Sequence, residues 1–329
     1  MSTSSPSMIA RGFSERDLVV SAIDGFQLSA KVFTPEDKPR GTVVINAATA
    51  APQQYYQRFA RFLARSGLRV VTYDYRGVGR SAPPTLRGFE ATMVQWADLD
   101  ARAIFRLARS EWLEPVALVG HSFGGQLIGL VDELRHAAGA LLVGSQLGYY
   151  GYWPLIERPR LRVIWQALVP AATAAYGYLP GKLGLGHDLP YGVAREWARW
   201  CSQPGYLLSE QPAARARFAH FLKPVRLYSF TDDDYAPRRA VEELTNLFVN
   251  TRLDHRRLEP RDIGVDEVGH FGFFRPRLER SLWPEALEFL NAVIEGKKPE
   301  SKRRVENKLE ELWTFDSSDV IADLNYGRA

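Results

Sequence analysis

Short apolar runs rich in β-branched residues alternate along most of this chain with longer segments of helical periodicity. Strands that are apolar on every residue are typical of a parallel sheet buried on both faces, and their alternation with helices predicts a doubly wound, mostly parallel α/β fold. Asp24-Gly25 separates the first two strands and predicts an antiparallel hairpin with a two-residue turn. The predicted strands lie at 18–23, 27–33, 42–45, 68–73, 116–119, 140–143, 225–230 and 252–258, and the predicted helices at 55–65, 93–109, 122–134, 238–248 and 283–294.

The alternation stops in the middle of the chain, where residues 146–212 are rich in aromatic residues, proline and glycine. A chain of 329 residues with this pattern commonly forms one α/β core with an insertion. We therefore predict a core at 1–145 and 213–296, an inserted helical cap at 146–212 and a charged C-terminal tail at 297–329. In the tail, Val305, Leu309 and Leu312 have the spacing of a short amphipathic helix.

Composition argues against several classes of function. The net charge is only +4 and the basic residues are scattered, so we expect no nucleic-acid partner. No apolar run reaches the ~18 residues of a membrane helix, which argues against membrane insertion. Cys201 is the single cysteine, so no internal disulfide or cysteine-rich zinc site can form. With no signal-peptide pattern at the N-terminus, a cytoplasmic location is expected.

One motif carries chemistry: Gly120-His121-Ser122-Phe123-Gly124 lies between a predicted strand and a predicted helix. In this context Gly-x-Ser-x-Gly predicts a nucleophile elbow, a strained turn that exposes the serine at the carboxyl edge of the sheet and needs glycine where the backbone is crowded. Ser122 is then the candidate nucleophile, and the amide of Phe123 a candidate oxyanion donor. His121 occupies the variable position of the motif and is interpreted as structural.

A second motif, the run 73–81 (Tyr-Asp-Tyr-Arg-Gly-Val-Gly-Arg-Ser), resembles the Asp-x-Arg-Gly-x-Gly-x-Ser turn of α/β hydrolases. With the elbow, it gives residues 18–296 a resemblance to the α/β-hydrolase superfamily, in particular to esterase-like and serine-aminopeptidase-like members. The run Gly269 to Phe274 and parts of the cap resemble a little-characterised bacterial-type subgroup of predicted hydrolases. The glycines at 77 and 79 could also suggest a phosphate cradle, but no P-loop lysine follows, and a structural turn is preferred.

The resemblance implies a chain order of serine, acid and histidine. It places the base late in the chain, which selects His270, and the acid after the strand that follows the cap. The spacing to the next proline in the family selects Asp233, with Asp232 as the close rival and Asp234 as a weaker one. The alternative is that these carboxylates cap a helix or bind a divalent metal, although no histidine lies nearby in sequence.

The chain departs from the family after the third strand, where the common His-Gly is replaced by Asn-Ala-Ala-Thr-Ala at 46–50. Counting back from the next helix places Thr49 at the second oxyanion donor position, with Ala48 as the alternative. Since that donor is a backbone amide, the replacement does not remove it.

These residues predict a serine hydrolase that cleaves a carboxylic ester, or an amide or thioester, of a small apolar substrate through an acyl-enzyme on Ser122. No metal or organic cofactor is required. The expected partner is a small-molecule substrate, and a homo-oligomer is left open. The alternatives are a non-catalytic hydrolase-like binding protein and an acyltransferase with the same triad.

Overall fold

The fold is organised around an eight-stranded sheet, seen in a computed structural model that describes residues 12–183 and 186–299. The first two strands along the chain are antiparallel to their neighbours in this sheet, and its other six strands run parallel to one another. The predicted fold class is therefore confirmed, whereas the predicted tail helix lies outside the described residues. The strands are β1 (Phe13–Ser21), β2 (Gln27–Pro35), β3 (Thr42–Asn46), β4 (Arg69–Tyr73), β5 (Val116–His121), β6 (Ala140–Val143), β7 (Tyr178–Leu179), β8 (Leu189–Pro190), β9 (Val225–Phe230) and β10 (Leu253–Leu258), of which β7 and β8 pair only with each other. The order of the eight strands in the main sheet is β1-β2-β4-β3-β5-β6-β9-β10.

The central strands β3, β5, β6 and β9 are buried at every residue, as a parallel sheet covered on both faces requires. Helices supply that cover and also fill the segment between β6 and β9. They are α1 (Gln57–Arg65), α2 (Met93–Gln95), α3 (Arg102–Glu111), α4 (Phe123–Leu130), α5 (Arg158–Val163), α6 (Val169–Tyr176), α7 (Tyr191–Ser202), α8 (Leu207–Glu210), α9 (Ala213–His220), α10 (Arg238–Thr245) and α11 (Leu282–Ile294). Among the residues that the structure describes, none of these helices has the length and apolar character needed to cross a membrane.

The hairpin between β1 and β2 differs from the predicted two-residue turn. The amide of Gly25 donates to the carbonyl of Ala22 at 2.9 Å, and the amide of Ala22 donates to the carbonyl of Phe26 at 2.8 Å. Gly25 has φ +83°, a left-handed conformation. These contacts define a three-residue loop that closes with a left-handed glycine, so Asp24-Gly25 marks the hairpin correctly but not the length of its loop.

The turn after β4 is filled by one carboxylate. Asp74 accepts hydrogen bonds from the amides of Gln53 at 2.7 Å and Arg80 at 3.0 Å, and the hydroxyl of Ser81 donates to the Asp74 carbonyl at 2.8 Å. A Cβ on Gly79 would lie 2.6 Å from an Asp74 carboxylate oxygen. An acidic side chain thus occupies the space that a phosphate cradle would need, in keeping with a structural turn.

The segment between β6 and β9, predicted as a cap, contacts the rest of the chain through a buried carboxylate. Glu196 in α7 accepts hydrogen bonds from the amides of Met93 and Val94, the latter at 3.1 Å, at the start of α2. Cys201 in the same helix is also buried, and burial raises the pKa of its thiol. The division into core and cap stays a prediction, while Glu196 is a defined contact between the two segments.

Two substitutions of Glu196 distinguish the effect of its hydrogen bonds on stability from the effect of its charge. We expect Glu196→Ala to lower the free energy of unfolding by about 1–3 kcal/mol, since two backbone N–H groups lose their acceptor. Glu196→Gln keeps an acceptor oxygen and is the matched control. Burial raises the pKa of Glu196 above its usual 4.5, so its contribution to stability is full below pH 4.5 and is lost as pH rises through the folded-state pKa.

Denaturant unfolding of the wild type and both variants at several pH values measures this effect. The wild type should lose stability relative to Glu196→Gln as the pH rises from 4.5 towards neutrality. A wild type that gains stability over the glutamine variant in this range would contradict the account.

Candidate active site

Ser122 lies at a strained turn between the end of β5 and the start of α4. Its backbone has φ +52° and ψ −114°, a conformation that costs a non-glycine residue of the order of 1–3 kcal/mol. A Cβ on Gly120 would lie 2.6 Å from Gly125, and one on Gly124 would lie 2.1 Å from the carbonyl oxygen of Asn46. The two glycines of the motif are therefore required by backbone contact, as predicted from the motif. The Ser122 side chain makes no capping bond to α4.

His270 and Asp233 form a buried pair on two loops that follow the sheet. The Nδ1 atom of His270 lies 2.8 Å and 3.1 Å from the two carboxylate oxygens of Asp233, and both side chains are at most 5% exposed. The amides of Tyr235 and Ala236 donate to Asp233 at 2.9 and 3.0 Å and hold its carboxylate in place. Since a carboxylate only accepts, the His270 proton belongs on Nδ1, which leaves Nε2 able to accept a proton.

The two neighbouring aspartates, Asp232 and Asp234, have different partners. Asp232 accepts from the amides of Val268 at 2.7 Å and Gly269 at 3.0 Å, on the segment that carries His270. The Asp234 backbone carbonyl accepts from the indole of Trp153 at 2.8 Å. Of the three candidates, the structure therefore brings Asp233 to His270, while its catalytic role stays a prediction.

Residues 268–271, named here the base loop, are held by side chains at four consecutive backbone positions. Besides the two amides bound by Asp232, the carbonyl of His270 lies 2.9 Å from Nε2 of His121, and the hydroxyl of Tyr55 donates to the carbonyl of Phe271 at 2.5 Å. The rings of His121 and His270 are 5.0 Å apart. The base loop is thus fixed against the residue that precedes Ser122.

Residues 46–50, named the oxyanion loop for their predicted role, pass close to the same turn. The amide of Ala48 donates to the hydroxyl of Tyr56 at 2.8 Å and is occupied by this bond. The carbonyl of Asn46 lies against Gly124, and Ala50 has a left-handed φ of +58°. Because the amide of Ala48 is already bound to Tyr56, Thr49 is favoured over Ala48 as the second donor. The assignment of Thr49 and Phe123 as oxyanion donors stays a prediction.

Two buried polar residues at this site have contacts that the sequence did not predict: Tyr56, which no motif singled out, and His121, which was interpreted only as structural. Tyr56 is fully buried and its hydroxyl lies 2.8 Å from Nδ1 of His121, whose side chain is also fully buried. Burial lowers the pKa of His121 well below its usual 6.5, so the ring is neutral. The signal in the sequence was a histidine inside the elbow motif together with paired tyrosines shortly after the oxyanion loop, but neither pattern alone indicates contact.

A model of the alpha/beta hydrolase family matches residues 43–279. Solved structures with the same fold include an esterase from Exiguobacterium antarcticum (17% identity, 85% of this chain and 100% of that chain, TM-score 0.55) and a thermophilic esterase from Thermogutta terrifontis (17%, 84% and 99%, 0.53). An esterase from Pyrococcus furiosus is similar at 13% identity over 89% of this chain and 95% of that chain, with a TM-score of 0.55. Comparison with curated proteins gives no match.

A serine at a strained strand-to-helix turn of a mostly parallel sheet is typical of the α/β-hydrolase fold. Because the family model covers most of the chain, the chain belongs to the alpha/beta hydrolase family, which supports a hydrolase enzyme.

Proposed function

We propose that the protein is a serine hydrolase that cleaves a carboxylic ester of a small apolar substrate through an acyl-enzyme on Ser122. The observation that carries the proposal is the buried pair of His270 and Asp233, whose loop is bound by His121, the residue before the strained Ser122. A buried carboxylate on one ring nitrogen leaves the other nitrogen as a base, which is the arrangement that nucleophilic serine catalysis needs.

In the proposed mechanism Ser122 Oγ attacks the ester carbonyl carbon while Nε2 of His270 takes the hydroxyl proton. The amides of Phe123 and Thr49 donate to the oxyanion that forms. The carbon–oxygen bond to the alcohol then breaks, and His270 returns the proton to the leaving oxygen. Water attacks the acyl-enzyme by the same route, releases the carboxylic acid and restores Ser122. Asp233 holds the His270 tautomer throughout.

The preference for apolar substrates is supported by aromatic rings around His270. The rings of Phe271 and Tyr235 lie 5.2 and 5.3 Å from the imidazole, and Tyr235 remains 47% exposed. The indole N–H of Trp153, from the predicted cap, donates to the carbonyl of Asp234, the residue after Asp233. Binding sites for small molecules are lined mostly by such side chains, with few polar groups.

Ser122→Ala tests the nucleophile. We expect a fluorophosphonate probe to label the wild type and not the variant, because only an activated hydroxyl attacks phosphorus, and hydrolysis of a nitrophenyl ester should fall by about 10³-fold or more. Labelling is read by gel fluorescence and intact mass. Equal ester turnover by the two proteins would refute a role for Ser122, and an unlabelled, inactive wild type would favour a binding protein.

Asp233→Asn and Asp232→Asn form a matched pair that tests the acid. Asparagine at 233 permits the wrong His270 tautomer, so we expect kcat to fall by roughly 10⁴-fold. Asparagine at 232 keeps an oxygen acceptor for the two amides of the base loop and should reduce kcat far less. Steady-state kinetics on one ester compares them, and the opposite ranking would assign the acid to Asp232.

A chain-length series of nitrophenyl esters tests the substrate class. Each buried methylene contributes about 0.8 kcal/mol, so two more methylenes in butyrate than in acetate should raise kcat/KM by roughly tenfold. Acetate cleaved much faster than butyrate and longer acyl chains would contradict an apolar acyl site.

A further inference from the structure

Buried groups from four separate segments form one continuous hydrogen-bonded chain next to Ser122. The amide of Ala48 lies 2.8 Å from the Tyr56 hydroxyl, that hydroxyl lies 2.8 Å from Nδ1 of His121, and Nε2 of His121 lies 2.9 Å from the carbonyl oxygen of His270. All four residues are at most 8% exposed. The oxyanion loop, the elbow and the base loop are thus joined by side chains for which the proposed mechanism has no use.

The chemistry of the two ends fixes every proton in this chain. A backbone carbonyl only accepts, so Nε2 of His121 carries its proton and donates to His270. In the neutral ring Nδ1 is then bare and accepts from the Tyr56 hydroxyl, whose oxygen accepts from the amide of Ala48. Every donor has an acceptor, which is the condition under which a buried polar network holds a single conformation.

We propose that Tyr56 and His121 are positioning residues, which hold the backbones of the oxyanion loop and the base loop at the distance from Ser122 that catalysis needs. This proposal rests on the function proposed above and assigns the two residues no contact with substrate.

The position of these contacts supports more than a packing role. His121 binds the carbonyl of the very residue that is proposed as the base, and it is joined through the peptide bond to the proposed nucleophile. Tyr56 binds the amide next to the proposed donor Thr49. A shift of either loop by ~1 Å would misplace a reacting group, and misplacement on this scale can cost about a hundredfold in rate.

Two substitutions of His121 separate positioning from space filling. In His121→Gln the amide nitrogen can replace Nε2 and still donate to the carbonyl of His270, whereas in His121→Asn the shorter side chain can replace only Nδ1. We expect the asparagine variant to lose about tenfold to a hundredfold in kcat with little change in KM, and the glutamine variant to recover most of that loss. Tyr56→Phe, which removes one oxygen, should lower kcat in the same way as His121→Asn.

The matched control is Tyr228→Phe, which removes the hydroxyl of another buried tyrosine, one that donates to Glu285 in α11. It should keep the wild-type kcat, with thermal unfolding used to confirm that every variant is folded. Asparagine and phenylalanine variants that are folded and as fast as the wild type would overturn the proposal. If the wild type hydrolyses the ester and these variants have the same kcat, only the positioning roles are contradicted. If the fluorophosphonate does not label the wild type, the serine-hydrolase proposal itself is contradicted.

The proton arrangement gives a second readout that does not depend on activity. In the ¹⁵N NMR spectrum of the full chain labelled at histidine, with His121→Gln used for assignment, the His121 ring should show a protonated Nε2 and a bare Nδ1. This pattern should persist at neutral pH. The opposite tautomer, or a ring that exchanges rapidly between tautomers, would contradict the proposed hydrogen-bonded arrangement of Ala48, Tyr56, His121 and His270.

Discussion

The strained backbone of Ser122 is the constraint on which the site depends. A serine with a positive φ persists only where the surrounding structure permits no other conformation, and here that structure is the backbone packed around it. The carbonyl of Asn46 at the end of β3 fits against Gly124, and the side chain of Ser145, just after β6, fits against Gly125. Added methyl groups at these glycines would push the strand ends apart. The strain at one residue is therefore maintained by the close approach of three neighbouring strands.

The loops that carry the other site residues cannot be fixed by the sheet, because they lie beyond the last ladder hydrogen bonds. Side chains fix them instead. Asp232 binds two amides of the base loop, and His121 and Tyr55 bind the two carbonyls that follow. Asp74 holds the amide of Gln53, at the start of the short helical segment that carries both tyrosines. These five backbone groups are thereby paired with protein side chains, as burial requires.

The sequence was sufficient for the sheet, the helices around it and the elbow, because periodicity and glycine placement are local signals. β6 and β9 begin and end where the apolar runs predicted. Only the structure shows which of Asp232 and Asp233 contacts His270, since adjacent carboxylates after one strand differ only in the direction of their side chains. The contacts of His121 join residues separated by 65 and 149 positions, and no local pattern reports such a distance. The single helix predicted at 93–109 is observed as α2 and α3, separated by a π-helical turn at 96–101 that interrupts the α-helical periodicity.

The chain through Tyr56 and His121 begins at a backbone amide and ends at a backbone carbonyl, and neither group ionises at ordinary pH. Its protons consequently cannot be passed along it in either direction, since the amide cannot accept one and the carbonyl cannot release one. The proposed base His270 and the buried His121 have ring centres only 5.0 Å apart, a distance at which a proton could otherwise pass between them. The hydrogen-bonded chain therefore provides no proton path between the proposed base and the protein interior behind it.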